Sequence, residues 1–173
     1  MSKIMSIPDS YTISTLPAEE FPKALLEIPQ PPEQLFIVGE LPDPKDYYYL
    51  SVVGSRKYTS YGKEACERII SGLAGYPIVI VSGLAMGIDG IAHRAALDAG
   101  LRTIAVPGSG LDQSVIYPRT HLGLAKEIVE NGGALLSEYE PDFKATPWSF
   151  PQRNRIMAGL SQGVLIIEAE EKS

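Results

Sequence analysis

The sequence predicts an α/β domain, a doubly wound and mostly parallel sheet between two helical layers in a three-layer αβα arrangement. Three observations carry that expectation. Short apolar runs such as LFIVG, IVIVSG and RTIAVPG each end in glycine. Helical patterns stand between most of them, as in SYGKEACERIISGLAG, where positions 65, 66, 69, 70 and 73 make one apolar face. The runs are continuously apolar rather than alternating, as strands covered on both faces are.

Residues 1–34 read as a Pro-rich extended lead-in. Prolines at 8, 17, 22, 29, 31 and 32 interrupt any long helix and leave room for one turn over Glu19–Leu26. Residues 35–173 make the domain. Strands are expected at 35–39 and 48–54, then a helix over 60–75 closed by glycine. There follow a strand at 78–83, a helix at 87–100, a strand at 102–108 and a helix at 119–133. A strand at 134–138, a helix at 153–163 and a strand at 164–169 complete the series.

A chain of 173 residues, 45% of them hydrophobic, supplies one core of ordinary size. No apolar run reaches the roughly 18–20 residues of a membrane span, and the N-terminus lacks a signal-peptide core, so a cytoplasmic location is expected. The single cysteine, Cys66, excludes an internal disulfide and lies on the apolar side of a helix, where it reads as packing. The net charge of −6 counts against nucleic acid at first sight. Its distribution weakens that objection, since residues 51–160 hold eleven basic groups against ten acidic ones. A site depends on its local field.

In a doubly wound sheet, ligands sit outside the carboxyl ends of the strands. Here those ends carry long glycine-bearing loops, GSR at 54–56, SGLAMGID at 82–89 and PGSGLDQSVIYPR at 107–119, while the opposite ends have plain turns. Glycine lets backbone N–H groups approach a phosphate, and a helix start adds its positive dipole end. Gly54 and Ser55 with the cation Arg56 form one such corner, Gly83 and Gly87 before the helix near Ile88 a second, and Gly108-Ser109-Gly110 a third. Any one of these loops is explained by turn formation alone; three on one edge favour a phosphate ligand.

Common enzyme templates are absent. No G-x-G-x-x-G with an acidic partner and no P-loop is present. His93 and His121 lack metal-ligand spacing. Asp89 and His93 stand four apart on one helix and read as a structural contact or a helix start. No catalytic residue, metal or cofactor is expected. The segment SFPQRNRIMAGLSQG places Arg153-Asn154-Arg155 at the expected start of a helix, where cations add to the dipole's own positive end. That conflict points to an anionic ligand or to a carboxylate such as Glu138 or Glu168, with one arginine structural and the other on phosphate.

The strings VVGSR, IVIVSGLAMGIDGIAHRAAL, GLRTIAVPGSGLDQSVIYPR, GGALLSEYEP and FPQRNRIMAGLSQGVLIIEA, in this order and spacing, resemble the DNA-processing protein A (DprA/Smf) family over about residues 21–173. The resemblance implies a Rossmann-like fold and a cytoplasmic bacterial protein that binds single-stranded DNA in natural transformation and recombination. Such a protein protects incoming strands and helps load a RecA-type recombinase, without cofactor or enzymatic activity. It implies a basic pocket at Gly54, Ser55, Arg56, the loop from Ser82 through Gly83 and Ala85 to Gly87, Arg119, Arg153, Asn154 and Arg155. Homodimer and recombinase contacts lie, in relatives, largely beyond the point matching residue 173. Some relatives carry a lysine where this chain reads Ala145-Thr146-Pro147-Trp148. Tyr58, Tyr117, Tyr139, Phe143 and Trp148 are flat groups available for base stacking, each also explicable as packing. The competing reading is a nucleotide enzyme of the phosphoribohydrolase (lysine decarboxylase-like) group. Its P-G-G-x-G-T-x-x-E motif is met here only by Pro107-Gly108-Ser109-Gly110, without the glutamate.

Overall fold

The computed structural model describes residues 11–170; the first ten residues of the lead-in and residues 171–173 lie outside the described part. Its seven strands form one sheet in the order β1-β2-β6-β5-β4-β3-β7. They are β1 (Ser14–Leu16), β2 (Leu35–Gly39), β3 (Tyr48–Val53), β4 (Ile78–Ser82), β5 (Arg102–Ala105), β6 (Ala134–Ser137) and β7 (Gly163–Ile166). From β6 to β7 all neighbours are parallel; β1 on β2 and β2 on β6 are antiparallel. The mostly parallel α/β sheet expected from the sequence is therefore the fold.

The helices are α1 (Lys23–Leu26), α2 (Ser60–Ser71), α3 (Ile88–Asp98), α4 (Leu122–Glu130) and α5 (Ser149–Leu160). Strand parity divides the core. Val79, Val81, Ile104, Leu136 and Tyr49 pack toward α1 and α5, with Ile156, Met157 and Leu160. Ile80 and Val52 pack toward α2 and α3, and Ala105 and Leu135 toward α4. Val79, Ile80 and Val81 are wholly buried, which is why β4 reads as an unbroken apolar run. The described part of the lead-in is packed in rather than merely extended. Its strand β1 adds to the sheet, and Leu16, Phe21 and Leu25 enter the core beside α5. Each such side chain contributes about 1.5–3 kcal/mol on burial.

Helix boundaries follow local chemistry. At α2, Thr59 is the N-cap and accepts the Gly62 N–H at 3.0 Å. The expected helix at 119–133 divides into a 3-10 turn, Arg119–His121, followed by α4. The largest difference is α5, which starts at Ser149, four residues before the expected 153. Ser149 Oγ accepts the Thr146 N–H at 2.9 Å and donates to Gly108 O at 2.6 Å, pinning the first turn to the loop after β5. Pro151 fits there because a first-turn N–H needs no intrahelical partner.

His93 does not pair with Asp89. It is buried on α3, with Nδ1 2.7 Å from Thr103 Oγ1, whose hydroxyl donates to Ile80 O. Nδ1–H is therefore the donor and the ring is neutral. Burial, with the nearby His121 and Arg153 charges, pushes its pKa from 6.5 to about 3. The unfolded chain takes up this proton first as pH falls, so the histidine's contribution is full above pH 6.5 and is lost toward pH 3. Between neutral pH and pH 5 the wild type is expected to lose about 2 kcal/mol relative to a His93→Gln variant. Urea midpoints at both pH values check this, and a pH-independent difference would contradict it.

Candidate nucleic-acid interface

From β3 the chain steps outward through β4, β5 and β6, then returns across its starting point to place β7 on the other flank of β3. That reversal is a topological switch point, and it opens a crevice beyond the carboxyl ends of β3 and β7. A cavity of about 800 Å³ occupies it. Gly54, Ser55, Arg56 and Lys57 line it from the β3 side, Ala85 and Asp89 from the next loop, and Phe150, Arg153 and Asn154 from α5. Val164, Ile166 and Glu168 close it from β7.

The glycines that suggested phosphate cradles accommodate protein instead. A Cβ on Gly83 would stand 2.5 Å from the Arg153 guanidinium carbon and from Asp89 Oδ2. A Cβ on Gly54 would stand 2.8 Å from Ile88 Cγ1, and one on Gly108 would stand 2.6 Å from the Phe150 ring. Gly87, at φ +81°, lies against Ser55 O and the Arg56 backbone. Gly110 packs on the Glu140 and Pro141 carbonyls, and its N–H donates to Phe143 O. Ser82 and Ser109 are buried, donating to Val52 O and Gly110 O. The start of α3 is filled as well, since the Ile88 N–H donates to Ser55 O and Asp89 Oδ2 accepts the Gly83 N–H. Three loops pack into one rigid edge. Ser82, Gly83, Gly108, Ser109 and Gly110 lie within that packed edge and outside the cavity lining.

The Arg-Asn-Arg segment also changes meaning. Because α5 begins at Ser149, Arg153 and Arg155 lie in its second turn, away from the dipole's positive end. Arg153 is 4% exposed; its Nη1 donates to Gly83 O and Val106 O, and Nη2 lies 3.9 Å from Asp89 Oδ2. Burial pushes the Asp89 carboxyl up and the Arg153 guanidinium down, each opposed by the other's charge. Arg155 is bidentate to Glu138 at 2.6 Å, which raises its pKa, and Nε donates to Gln30 O at 2.8 Å. Both arginines are held by protein acceptors, whereas the sequence led to the expectation that only one of them is structural. Of the two candidate carboxylates, Glu138 takes Arg155, while Glu168 accepts the backbone N–H and hydroxyl of Thr59.

Other cations remain open. Arg56 is exposed, with no protein acceptor among the described residues, and its guanidinium lies 4.9 Å above the Phe150 ring centroid. Lys57 is exposed beside it. Asn154 Oδ1 accepts from Arg153 Nε at 3.0 Å, which leaves its two N–H donors for a ligand. Tyr117, exposed, packs on Phe150 with ring centroids 5.6 Å apart. Arg119 is exposed but donates to Gln113 O at 2.6 Å and lies outside the cavity lining. Tyr139, Phe143 and Trp148 form their own cluster, Trp148 exposed.

Of the residues expected from the sequence, the cavity brings together Gly54, Ser55, Arg56, Ala85, Arg153 and Asn154. It leaves out Ser82, Gly83, Gly87, Gly108, Ser109, Gly110, Arg119 and Arg155. Sequence reasoning missed Lys57, Phe150, Ala158, Val164 and Ile166. Phe150, Asn154 and Ala158 stand at four-residue spacing on one face of α5, a signal legible once the helix starts at Ser149.

The family model for DNA recombination-mediator protein A matches residues 12–173. Protein Smf of Escherichia coli (strain K12) is 44% identical over 156 residues, covering 90% of this chain and 41% of that protein. The X-ray structure of DNA processing protein A from Streptococcus pneumoniae superposes with TM-score 0.83 at 41% identity, over 93% of this chain and 56% of that one. A structure of DNA processing protein A from Helicobacter pylori, described for its single-stranded DNA binding mode, gives TM-score 0.81 at 37% identity, over 94% of this chain and 72% of that one. The chain thus spans less than half of its Escherichia coli relative, while nearly all of its own length is matched. By that match the chain belongs to the DNA recombination-mediator protein A family.

Proposed function

We propose that the chain binds single-stranded DNA along this edge as a recombination mediator of the DNA-processing protein A type, without catalysing a reaction or needing a cofactor. The observation that carries the reading is Arg56, a cation without a protein acceptor among the described residues, set over an aromatic ring at the mouth of the switch-point cavity. Sequence-independent binding of a single strand needs cations along its phosphates and flat groups for its bases, and Arg56, Lys57, Phe150 and Tyr117 supply both. Of the three carboxylates in the cavity lining, the two beside the Arg56 loop and α5 are engaged, Asp89 by Gly83 and Arg153 and Glu168 by Thr59, while Glu170 is exposed beyond the end of β7. That supports binding over nucleotide hydrolysis. A cytoplasmic location, a RecA-type recombinase as partner and a homodimer belong to the same proposal. The relative from Helicobacter pylori, with its single-stranded DNA binding mode, is consistent with it.

Titration of a labelled single-stranded oligonucleotide and of a duplex of equal length tests the reading. The expected result is tighter binding of the single strand, with log affinity falling linearly in log salt between about 50 and 200 mM. Equal, salt-insensitive affinity for the two would overturn it.

A further inference from the structure

We infer that Glu168 is a positioning residue for Arg56, holding both ends of the loop that carries the cation; the inference rests on the single-strand reading and deepens it. Glu168 O accepts the Ser55 N–H at 2.7 Å, which continues the pairing of β7 with β3 beyond Val53 and Ile166. Across the loop, the Glu168 carboxylate accepts the Thr59 N–H at 2.9 Å and the Thr59 hydroxyl at 2.7 Å. One residue therefore brackets residues 55–59. Between these ends, Ser55 Oγ donates to Lys57 O at 2.7 Å and accepts the Lys57 N–H at 3.0 Å. Ser55 O accepts the Ile88 N–H at 3.2 Å. The backbone is thus fixed on each side of Arg56, whose guanidinium rests over the Phe150 ring without an acceptor among the described residues.

Charge and packing set this clasp apart from ordinary loop closure. Glu168 lines the same cavity as Arg56 and Lys57, and a carboxylate there weakens the field that attracts an anion. Its place at the N-terminus of α2 offsets part of that charge, because the helix dipole favours an anion there. Gly62 is the second sign. Glycine in the first turn of a helix favours the unfolded chain, and nothing along the sequence calls for it. In the fold, a Cβ at this position would stand 2.3 Å from Glu168 Oε2 and 2.9 Å from its Cδ. Gly62 leaves the space that the carboxylate fills, and its N–H donates to Thr59 Oγ1 at 3.0 Å. Thr59, Gly62 and Glu168 thereby close one unit around the start of α2. A guanidinium on a fixed loop meets a phosphate already ordered, whereas a released loop must be ordered on binding and loses affinity by that amount.

The test titrates a labelled oligothymidylate against the wild type, Glu168→Gln and Gly62→Ala, each with and without Arg56→Ala. By charge alone Glu168→Gln should bind more tightly, since it removes a negative charge from the lining. Positioning gives the opposite sign, with binding about 3- to 10-fold weaker at low salt. Gly62→Ala keeps every charge and should weaken binding by a similar factor. Its methyl displaces only the end of a flexible side chain, so the fold persists. On the Arg56→Ala background neither substitution should weaken binding further, because both act through Arg56. A loss of fold alone would weaken binding on either background. Urea midpoints establish that each protein is folded in the titration, and Gly62→Ala decides alone where Glu168→Gln is not. Tighter binding by Glu168→Gln, wild-type affinity in Gly62→Ala, or losses that add in full to that of Arg56→Ala overturn the inference. The single-strand reading then stands, because the wild type still binds. If the wild type binds no oligothymidylate, both fail.

Discussion

Arg153→Met is expected to destabilise the fold by about 3–5 kcal/mol, the range for removing one partner of a buried ion pair. The loss has two sources. Asp89 would keep a buried carboxylate held by neutral donors such as the Gly83 N–H but by no cation, and burial already pushes that carboxyl up. The Gly83 and Val106 carbonyls would lose their shared donor at the ends of two adjacent loops. Arg153→Lys should rescue little, because one ammonium lacks the planar fork that reaches Gly83, Val106, Asp89 and Asn154 together. Adding Asp89→Asn to Arg153→Met should recover part of the stability, since the uncompensated charge is then gone. Urea unfolding of the three variants checks the set. A loss below about 1 kcal/mol for Arg153→Met would mean that this pair does not hold the edge together.

Arg56→Ala should behave in the opposite way. The side chain is exposed and bonded to no protein acceptor among the described residues, so stability should move by no more than about 0.5 kcal/mol. Single-strand affinity should fall about 10- to 100-fold at low salt, as expected for a charge-assisted phosphate contact. The slope of log affinity against log salt should shrink by about 0.7, the counterion term for one phosphate on a single strand. Arg155→Ala provides the contrast, with lower stability through the loss of Glu138 and Gln30 and a salt slope like that of the wild type. Unchanged affinity in Arg56→Ala, with Arg155→Ala impaired in binding but not in stability, would reverse the roles assigned to the two arginines.

The strands of the sheet were legible because their chemistry is local. Ile78–Ser82 is apolar on both sides and can be little else than a covered strand. The edge that carries the cavity was legible for a similar reason, as loops of unequal richness at the two strand ends mark it before any contact is known. The start of α5 was misplaced because Ser149 and Pro151 signal a helix start only with Thr146 and Gly108 in place. That shift also moves Arg153 and Arg155 a turn deeper into the helix than their charge suggested. Phe150 was missed with it, since its place in the stripe with Asn154 and Ala158 exists only on the longer helix.

By itself the sequence determined the α/β class, the glycine-rich edge and a family resemblance carried by five ordered motifs. Those rest on composition and spacing along the chain, which need no partner. Only the tertiary structure decided which cations are open. The acceptors of Arg153 lie 70 and 47 residues away in the chain, and one acceptor of Arg155 lies 125 away. A guanidinium has the same sequence signature whether it meets a phosphate or a neighbouring loop. The fold supplies two carbonyls and a carboxylate to Arg153, and a carboxylate and two carbonyls to Arg155. Among the described residues it sets Arg56 over an aromatic ring and gives it no hydrogen-bond acceptor.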